Sequence, residues 1–248
     1  PVAIDDAAVT ATGYEVQVDV LANDYDLNLD PVTIASVDAT TALGGTVEIE
    51  PGAGPGGRDV LRYVPPAAVG MDTFSYAAGD ADGTTSATVT VEVLDPAGFR
   101  APDQPLATAP GATAAYYALV EPEVLPDFEQ LTSYRVDVVP EVGFASTNGE
   151  FATSGRSDDV GAVFEGFIEV PSAAEYVLSV ESDDGSKLYL GDAPIIDNDG
   201  LHGMVEVSAE AALLPGRHAV RVEFFERGGG AGGVVRIEGG GLVRQAVP

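Results

Sequence analysis

The sequence contains no cysteine, so disulfide bonds, cysteine-based zinc sites and thiol nucleophiles are excluded. It has only two histidines, His202 and His218, and neither lies beside the pattern of a nucleophile elbow. The glycine-rich segments 228–233 and 239–241 lack the lysine and the strand–loop–helix context of a phosphate-binding loop. We therefore expect this chain not to be an enzyme.

Basic residues are scarce, with 11 Lys and Arg against 40 Asp and Glu, giving a net charge of −29. Such a field repels nucleic acid and anionic membranes and attracts cations. Two interpretations are open: an extracellular medium rich in calcium or salt, or a halophile whose whole proteome is acidic. Because the acidic residues cluster in turns, we favour the first.

Long apolar runs are also missing. No stretch of 18 apolar residues and no signal peptide is found, so we expect no membrane span. The chain starts and stops within a pattern, which predicts a segment of a longer protein whose targeting signals lie elsewhere.

Convincing helical periods are absent from the first 95 residues, where short alternating segments are separated by Gly, Asp, Asn and Pro. Regular short strands of this kind predict an all-β sandwich. Residues 96–110 hold four prolines and predict a linker, with a second domain over 111–248. The one helical turn expected there lies near Phe128–Leu131, after Pro126 and Asp127. The predicted strands of the first domain are Tyr14–Asp19, Val32–Val37, Gly45–Glu50, Val60–Val64, Thr73–Ala77 and Ser86–Leu94.

An acidic turn, Ser182-Asp183-Asp184-Gly185-Ser186, is the most informative feature of the second domain. Alternating segments precede it at 166–170 and 176–181, and another follows at 187–190, so the turn joins two half-buried strands. Two neighbouring carboxylates repel each other by about 1 kcal/mol in water at ~4 Å, and more where water is scarce. A cation is the simplest compensation, and carboxylate and carbonyl oxygens are the ligands that Ca²⁺ prefers.

This turn, the segment 195–203 and several further motifs in the same order resemble the PA14 domain, a β-sandwich of adhesins that also occurs beside some glycosidases. The matching motifs, which together cover about 110–248, are Ala115–Tyr117, Leu125–Phe128, Phe164–Pro171 and Leu214–Glu226.

In glycan-binding members of that family, a cis-linked Asp-Asp pair chelates Ca²⁺, which then holds two sugar hydroxyls. The resemblance implies these metal and glycan roles for Asp183 and Asp184. The alternative is a solvated acidic turn without metal. A second calcium loop near the domain's end often carries Asn, Asp or Gln, whereas residues 227–233 here offer only carbonyls. For Asp197–Gly200 and His202 we favour structural roles.

The first domain is similar to the cadherin-like, Ig-like tandem modules of large bacterial surface adhesins. The matching motifs are Pro1–Asp6, Val20–Asp26, Tyr63–Pro65, Asp72–Tyr76 and Asp80–Gly83. Asp24, Asp26 and Asp30 alternate, but the run lacks the glycine and terminal glutamate of an EF-hand. An open calcium site at Asp24 and Asp26 is one interpretation, and a solubilising acidic turn is the other.

These observations predict two β-sandwich domains from a secreted or cell-surface adhesion protein, with Ca²⁺ as cofactor and glycans or cell-surface polysaccharide as partners. The alternative is a structural subunit of an extracellular filament, stalk or surface layer, whose partners are copies of itself or neighbouring repeats. A third interpretation is an accessory module of a carbohydrate-active enzyme.

Overall fold

A computed structural model describes residues 1–103 and 105–247; Gln104, in the predicted linker, and Pro248 lie outside it. Within those ranges the chain forms 18 β-strands and two short 3₁₀ turns, which confirms the all-β prediction. The described part contains no helix with the length and hydrophobicity that a bilayer span requires. Two compact units form: residues 1–99 with 171–174 and 212–215, and the remainder. The domain boundaries expected from the sequence stay predictions.

The first unit consists of two small sheets. One has the order β1-β7-β6-β3 and the other β2-β5-β4. Strand β1 runs parallel to β7, while the other pairs are antiparallel. The strands are β1 (Asp6–Ala11), β2 (Val16–Val18), β3 (Thr33–Val37), β4 (Thr46–Glu50), β5 (Val60–Val64), β6 (Gly70–Gly79) and β7 (Thr84–Leu94).

Alternation along the strands builds the core of this unit. In β7, Ala87, Val89, Val91 and Val93 are buried, while the alternating residues Thr88 and Glu92 are exposed. Tyr63 and Phe74 stack with ring centroids 5.9 Å apart inside the core. Fully burying one such aliphatic or aromatic side chain contributes about 1.5–3 kcal/mol.

One carboxylate, that of Asp72, is completely buried in the first unit. It accepts hydrogen bonds from Thr41 Oγ1 at 2.5 Å, Tyr63 Oη at 2.7 Å, the Leu43 amide at 2.8 Å and the Thr73 amide at 2.9 Å. Burial by itself raises the pKa of Asp72, but these donors outweigh burial and the pKa is lowered. The fold therefore keeps this buried group ionised with its own donors.

The second unit has two larger sheets. One has the order β14-β13-β16-β11-β8-β9; the other has the order β10-β17-β12-β15, with β18 paired to β17. The strands are β8 (Ala112–Ala118), β9 (Arg135–Val139), β10 (Gly143–Thr147), β11 (Val160–Val170), β12 (Ala174–Asp183), β13 (Ser186–Leu190), β14 (Ala193–Asn198), β15 (Val205–Leu213), β16 (Gly216–Glu226), β17 (Ala231–Gly239) and β18 (Leu242–Ala246).

An aromatic cluster joins the two sheets of this unit. Phe144 of β10 stacks on Phe164 of β11, in the opposite sheet, at 5.8 Å between ring centroids. Phe151, from the connection after β10, is fully buried and stacks at 4.1 Å on Phe224 of β16. Aromatic pairs of this type contribute about 0.5–1.5 kcal/mol beyond area burial. The connection after β10 is therefore anchored in the core by Phe144 before it and Phe151 at its far end.

Two local expectations can be compared directly with the structure. The turn expected near Phe128 is present as a 3₁₀ turn at Phe128–Gln130, capped by Asp127 Oδ1, which accepts the Glu129 amide at 3.1 Å. The predicted linker, 96–110, contains no strand or helix in its described residues, but it is not free of contacts. Arg100 donates to Asp103 Oδ2 at 2.7 Å, and the same oxygen accepts the Ala219 amide at 2.7 Å.

Candidate functional site

Asp183 and Asp184 lie where the chain crosses from one sheet of the second unit to the other. β12 belongs to the five-stranded sheet and β13 to the six-stranded sheet, so the two strands that the acidic turn joins do not pair with each other. Asp183 still pairs with Gly232 of β17, which leaves only Asp184 and Gly185 outside the strands. The peptide bond between the two aspartates is cis, as the resemblance implies.

A second crossing between the sheets lies beside the first. β16 ends at Glu226 in the six-stranded sheet, and residues 227–230 lead to β17 in the five-stranded sheet. The Asp184 amide donates to Glu226 Oε2 at 3.1 Å, and the Arg227 amide donates to Asp184 Oδ2 at 3.1 Å. The two crossings therefore hold each other through charge-assisted hydrogen bonds.

Three carboxylates, those of Asp183, Asp184 and Glu226, meet where the two crossings lie side by side, and we call this place the acidic corner. One oxygen each of Asp183, Asp184 and Glu226 lies within 4.8 Å of the others, a spacing that allows one metal ion to bind all three. Glu226 is completely buried and Asp184 nearly so, while Asp183 is half-buried. Among the described residues, no other group of three Asp, Glu, His or Cys side chains meets this criterion.

Glu226 has an unsatisfied oxygen. Its Oε1 is buried and has no hydrogen-bond partner. Burial, followed by the charges of Asp184 and Asp183, raises the pKa of Glu226 to about 8. Burial likewise raises the pKa of Asp183, and the neighbouring Asp184 adds to the effect. A buried carboxylate without enough donors needs either a proton or a cation.

Backbone groups orient the Asp184 carboxylate. Its Oδ1 accepts the amide of His202 at 3.1 Å, opposite the bond from Arg227 to Oδ2. The ring nitrogens of His202 lie 2.8 Å and 3.0 Å from the carbonyl oxygens of Gly203 and Asn198. The ring is thus engaged by backbone and does not point at the carboxylates as a ligand, which agrees with the structural role expected for His202.

Gly230 borders an oxygen-lined niche. A methyl group on its Cα would lie 2.8 Å from Ser146 Oγ and 2.9 Å from Asp183 Oδ2, closer than Cβ atoms normally approach. The space is kept open only because residue 230 has no side chain. The open niche and the unpartnered Glu226 oxygen fit a hard divalent cation with oxygen ligands.

The structure changes the extent of one neighbouring segment and gives the surroundings of another. Of the expected second calcium loop, 227–233, only 227–230 form a loop, because residues 231–233 begin β17. Asn198, for which a structural role was expected, is buried at the end of β14. Its Nδ2 donates to Ser182 Oγ at 3.1 Å, and Ser182 Oγ lies 2.7 Å from Ser186 Oγ. This network links the ends of β12, β13 and β14 next to the acidic corner.

Asp24 and Asp26 are bound by neighbouring groups of the first unit. Asp24 accepts the Ile4 amide at 2.8 Å and Tyr76 Oη at 2.9 Å. Asp26 accepts the Asn28 amide at 2.9 Å, and its other oxygen lies 3.2 Å from the backbone nitrogen of Pro1. Neither joins a three-residue metal group in the described part of the chain. Calcium binding at these two residues stays a prediction.

Sequence reasoning missed three residues of the corner: Glu226, Ser146 and Asn148. Glu226 ends an alternating strand and looks like one more surface carboxylate, although the doubled apolar pair Phe224-Phe225 before it does signal a strand end that turns inward. Ser146 and Asn148 come from β10 and its loop, about 37 residues before the acidic corner along the chain. No local pattern reveals that proximity.

The fold and the corner define a two-module β-sandwich chain whose second module presents an oxygen-rich acidic site between its sheets. The sequence model of the PA14 domain matches residues 110–238, more than half of the chain, and the chain belongs to this family. The model of a bacterial Ig domain matches residues 1–92. No curated protein sequence matches the chain.

Several solved structures are similar at low identity. A PA14 sugar-binding domain from an RTX adhesin is 16% identical over 56% of this chain and 95% of its own, with a TM-score of 0.49. Epithelial adhesin 9 A domain of Candida glabrata, in complex with Galβ1-3GlcNAc, is 10% identical over 59% and 92%, with a TM-score of 0.46. A β-glucosidase from Kluyveromyces marxianus is 18% identical over 60% of this chain and 19% of its own, with a TM-score of 0.40. These likenesses are too distant to assign a ligand.

Proposed function

We propose that the PA14 module binds carbohydrate through a calcium ion held by Asp183 and Asp184. One observation carries this proposal: three carboxylates converge at the corner, and the buried Oε1 of Glu226 has no partner. Asp72 shows that this chain supplies hydrogen-bond donors where a buried carboxylate is to stand without an ion. At the corner such donors are too few.

Each residue contributes a distinct part. Asp184 is fixed by two backbone amides, so its carboxylate is preorganised for an ion. Asp183 is the most exposed of the three and lies beside the open niche at Gly230, where a ligand from solvent has access. A calcium ion bound there would supply open coordination positions that turn weakly coordinating sugar hydroxyls into ligands.

In its wider role, we propose that the chain is an adhesive segment of an extracellular or cell-surface protein. The bacterial Ig module would act as a spacer and the PA14 module as the glycan-binding part. Its partners would be glycans or cell-surface polysaccharide. We propose a binding module and not an enzyme, because the histidine nearest the acidic corner, His202, has both ring nitrogens occupied by backbone carbonyls.

The test is a calcium titration of the full chain by calorimetry, followed by binding to an array of neutral and acidic glycans with calcium and with EDTA. We expect calcium binding in the parent protein and glycan binding that EDTA abolishes. Asp184→Asn should lose both. The matched control is Asp192→Asn, which removes an exposed carboxylate in the connection between β13 and β14.

Two outcomes contradict the proposal. If Asp184→Asn binds glycans as well as the parent, the ion does not hold the sugar. If calcium binds but no glycan does, the ion has a structural role, as expected for a subunit of a filament or surface layer.

A further inference from the structure

The connection after β10 is held in place from both ends. β10 pairs with β17 at Gly143↔Val234 and Phe144↔Gly233, and after a register shift at Thr147↔Ala231. Beyond it, Phe151 returns to the core, where its ring lies 5.7 Å from that of Phe144. The exposed residues between these two phenylalanines are therefore carried by a rigid support, as a binding site requires.

Gly232 brings this connection close to the acidic corner. It pairs with Asp183 on one side, and on the other side a methyl group on it would lie 2.8 Å from both the backbone nitrogen and the Cα of Ser146. Because Gly232 has no side chain, the Ser146 backbone passes directly over it. Ser146 Oγ then donates to Asp183 Oδ2 at 3.3 Å, across the intervening strand.

Three oxygens from two directions surround the niche at Gly230. The position of a methyl group on Gly230 is 2.8 Å from Ser146 Oγ, 2.9 Å from Asp183 Oδ2 and 3.8 Å from Asn148 Oδ1. The Asn148 side chain is exposed and accepts or donates no hydrogen bond within the described ranges. An amide oxygen without a protein partner, at the same niche as the Asp183 carboxylate, is available to a cation.

We propose that Asn148, in the connection after β10, supplies a side-chain oxygen to the calcium shell of Asp183 and Asp184. This inference rests on the proposed function. Calcium takes 6–8 oxygen ligands, and the loop 227–230 contains no side-chain oxygen. Asn148, in the connection after β10, would provide what that loop does not. Ser146, bonded to Asp183, acts as a positioning residue that fixes the carboxylate toward the same niche.

The test measures calcium affinity of the full chain by calorimetry without any sugar present, for the parent, Asn148→Ala and Asn148→Asp. We expect Asn148→Ala to weaken calcium binding about tenfold or more. Asn148→Asp keeps the oxygen and adds a charge, so it should bind calcium as tightly as the parent or more tightly. Thr147→Val is the matched control, since Thr147 Oγ1 accepts the Gly149 amide at 3.1 Å within the same connection.

The outcomes separate this inference from the proposed function. If the parent protein does not bind calcium, the proposed function fails and Asn148 has no ion to contact. If the parent binds calcium and Asn148→Ala binds it equally well, only the role of Asn148 is overturned. The role is also overturned if Asn148→Asp weakens binding as much as Asn148→Ala, or if Asn148→Ala loses glycan affinity alone. Equal calcium-free melting temperatures of all variants would show that the fold is unchanged.

Discussion

Each unit of this chain buries carboxylates, and the surroundings of those carboxylates differ. Asp72 in the first unit receives four hydrogen bonds from hydroxyl and amide groups, and its pKa is lowered. Glu226 in the second unit is equally buried, but one oxygen has no partner, two other carboxylates lie close by and its pKa is raised to about 8. The number of donors around a buried carboxylate therefore distinguishes a structural group from a candidate ion site.

The largest expected effect comes from removing the satisfied carboxylate. Asp72→Ala leaves the hydroxyls of Thr41 and Tyr63 and the Leu43 amide without their partner. Unsatisfied buried polar groups cost about 1–3 kcal/mol each, so we expect the unfolding free energy of the first unit to fall by about 4 kcal/mol. Urea unfolding measures it, with or without calcium. Asp38→Ala, which removes an exposed carboxylate bonded to one amide, is the control. A loss of unfolding free energy below about 1 kcal/mol would show that the donors around Asp72 do not distinguish it from Glu226.

Calcium should stabilise the second unit through the three carboxylates of Asp183, Asp184 and Glu226. A ligand at a hundredfold excess over its Kd adds about 2.7 kcal/mol to the unfolding free energy, and EDTA should remove that gain. Gly230→Ala fills the niche and should abolish the response. Gly228→Ala is the matched control, since a methyl group there would only touch Asp158 Oδ1 at 3.6 Å. Melting temperatures with calcium and with EDTA measure the response of each variant. Equal responses of Gly230→Ala and Gly228→Ala would contradict the assignment of the niche as the ion site.

Glu226→Gln should change the unfolding free energy in opposite directions without and with calcium. Without calcium, the variant removes an unpartnered buried carboxylate, and we expect the unfolding free energy to rise by about 1–2 kcal/mol. With calcium, the missing charge weakens ion binding. Glu169→Gln, at an exposed position of β11, is the control. Destabilisation without calcium would mean that the buried oxygen is better satisfied than its surroundings indicate.

The smallest effect concerns Asp6, which has a buried unpartnered oxygen but belongs to no three-carboxylate group among the described residues. Burial, with the charges of Asp24 and Asp5, raises the pKa of Asp6 to about 6, despite hydrogen bonds from Tyr76 and Asn23.

Because the folded pKa exceeds the unfolded one, the ionised Asp6 opposes folding at neutral pH, and that penalty declines as the pH falls through about 6. Asp6→Asn should therefore raise the unfolding free energy by about 1 kcal/mol at pH 7.5 and by less at pH 5. Melting temperatures at the two pH values measure the difference. A gain independent of pH would show that ionisation is not its cause, and Asp5→Asn is the control.

The sequence predicted those elements whose evidence is local. The alternation in 86–94 lies within β7, and Asp127 marks the start of the turn at Phe128. It did not predict β1, because Asp6–Ala11 is rich in alanine and is a strand only through its parallel pairing with β7. The acidic pair was found because its two aspartates are adjacent. Glu226, Ser146 and Asn148 were not, since only the packing of distant strands brings them to that corner.

The glycine at position 232 has a consequence for related modules. It separates two strands that carry oxygen atoms, and its missing side chain sets how closely they approach. Any larger residue would act as a wedge and push β10 outward, which widens the corner without changing a single candidate ligand. A one-residue slip of β17 would do the same, because neighbouring strand residues point to opposite faces. Ligand selectivity among such modules should therefore vary with a position that contributes no polar side chain.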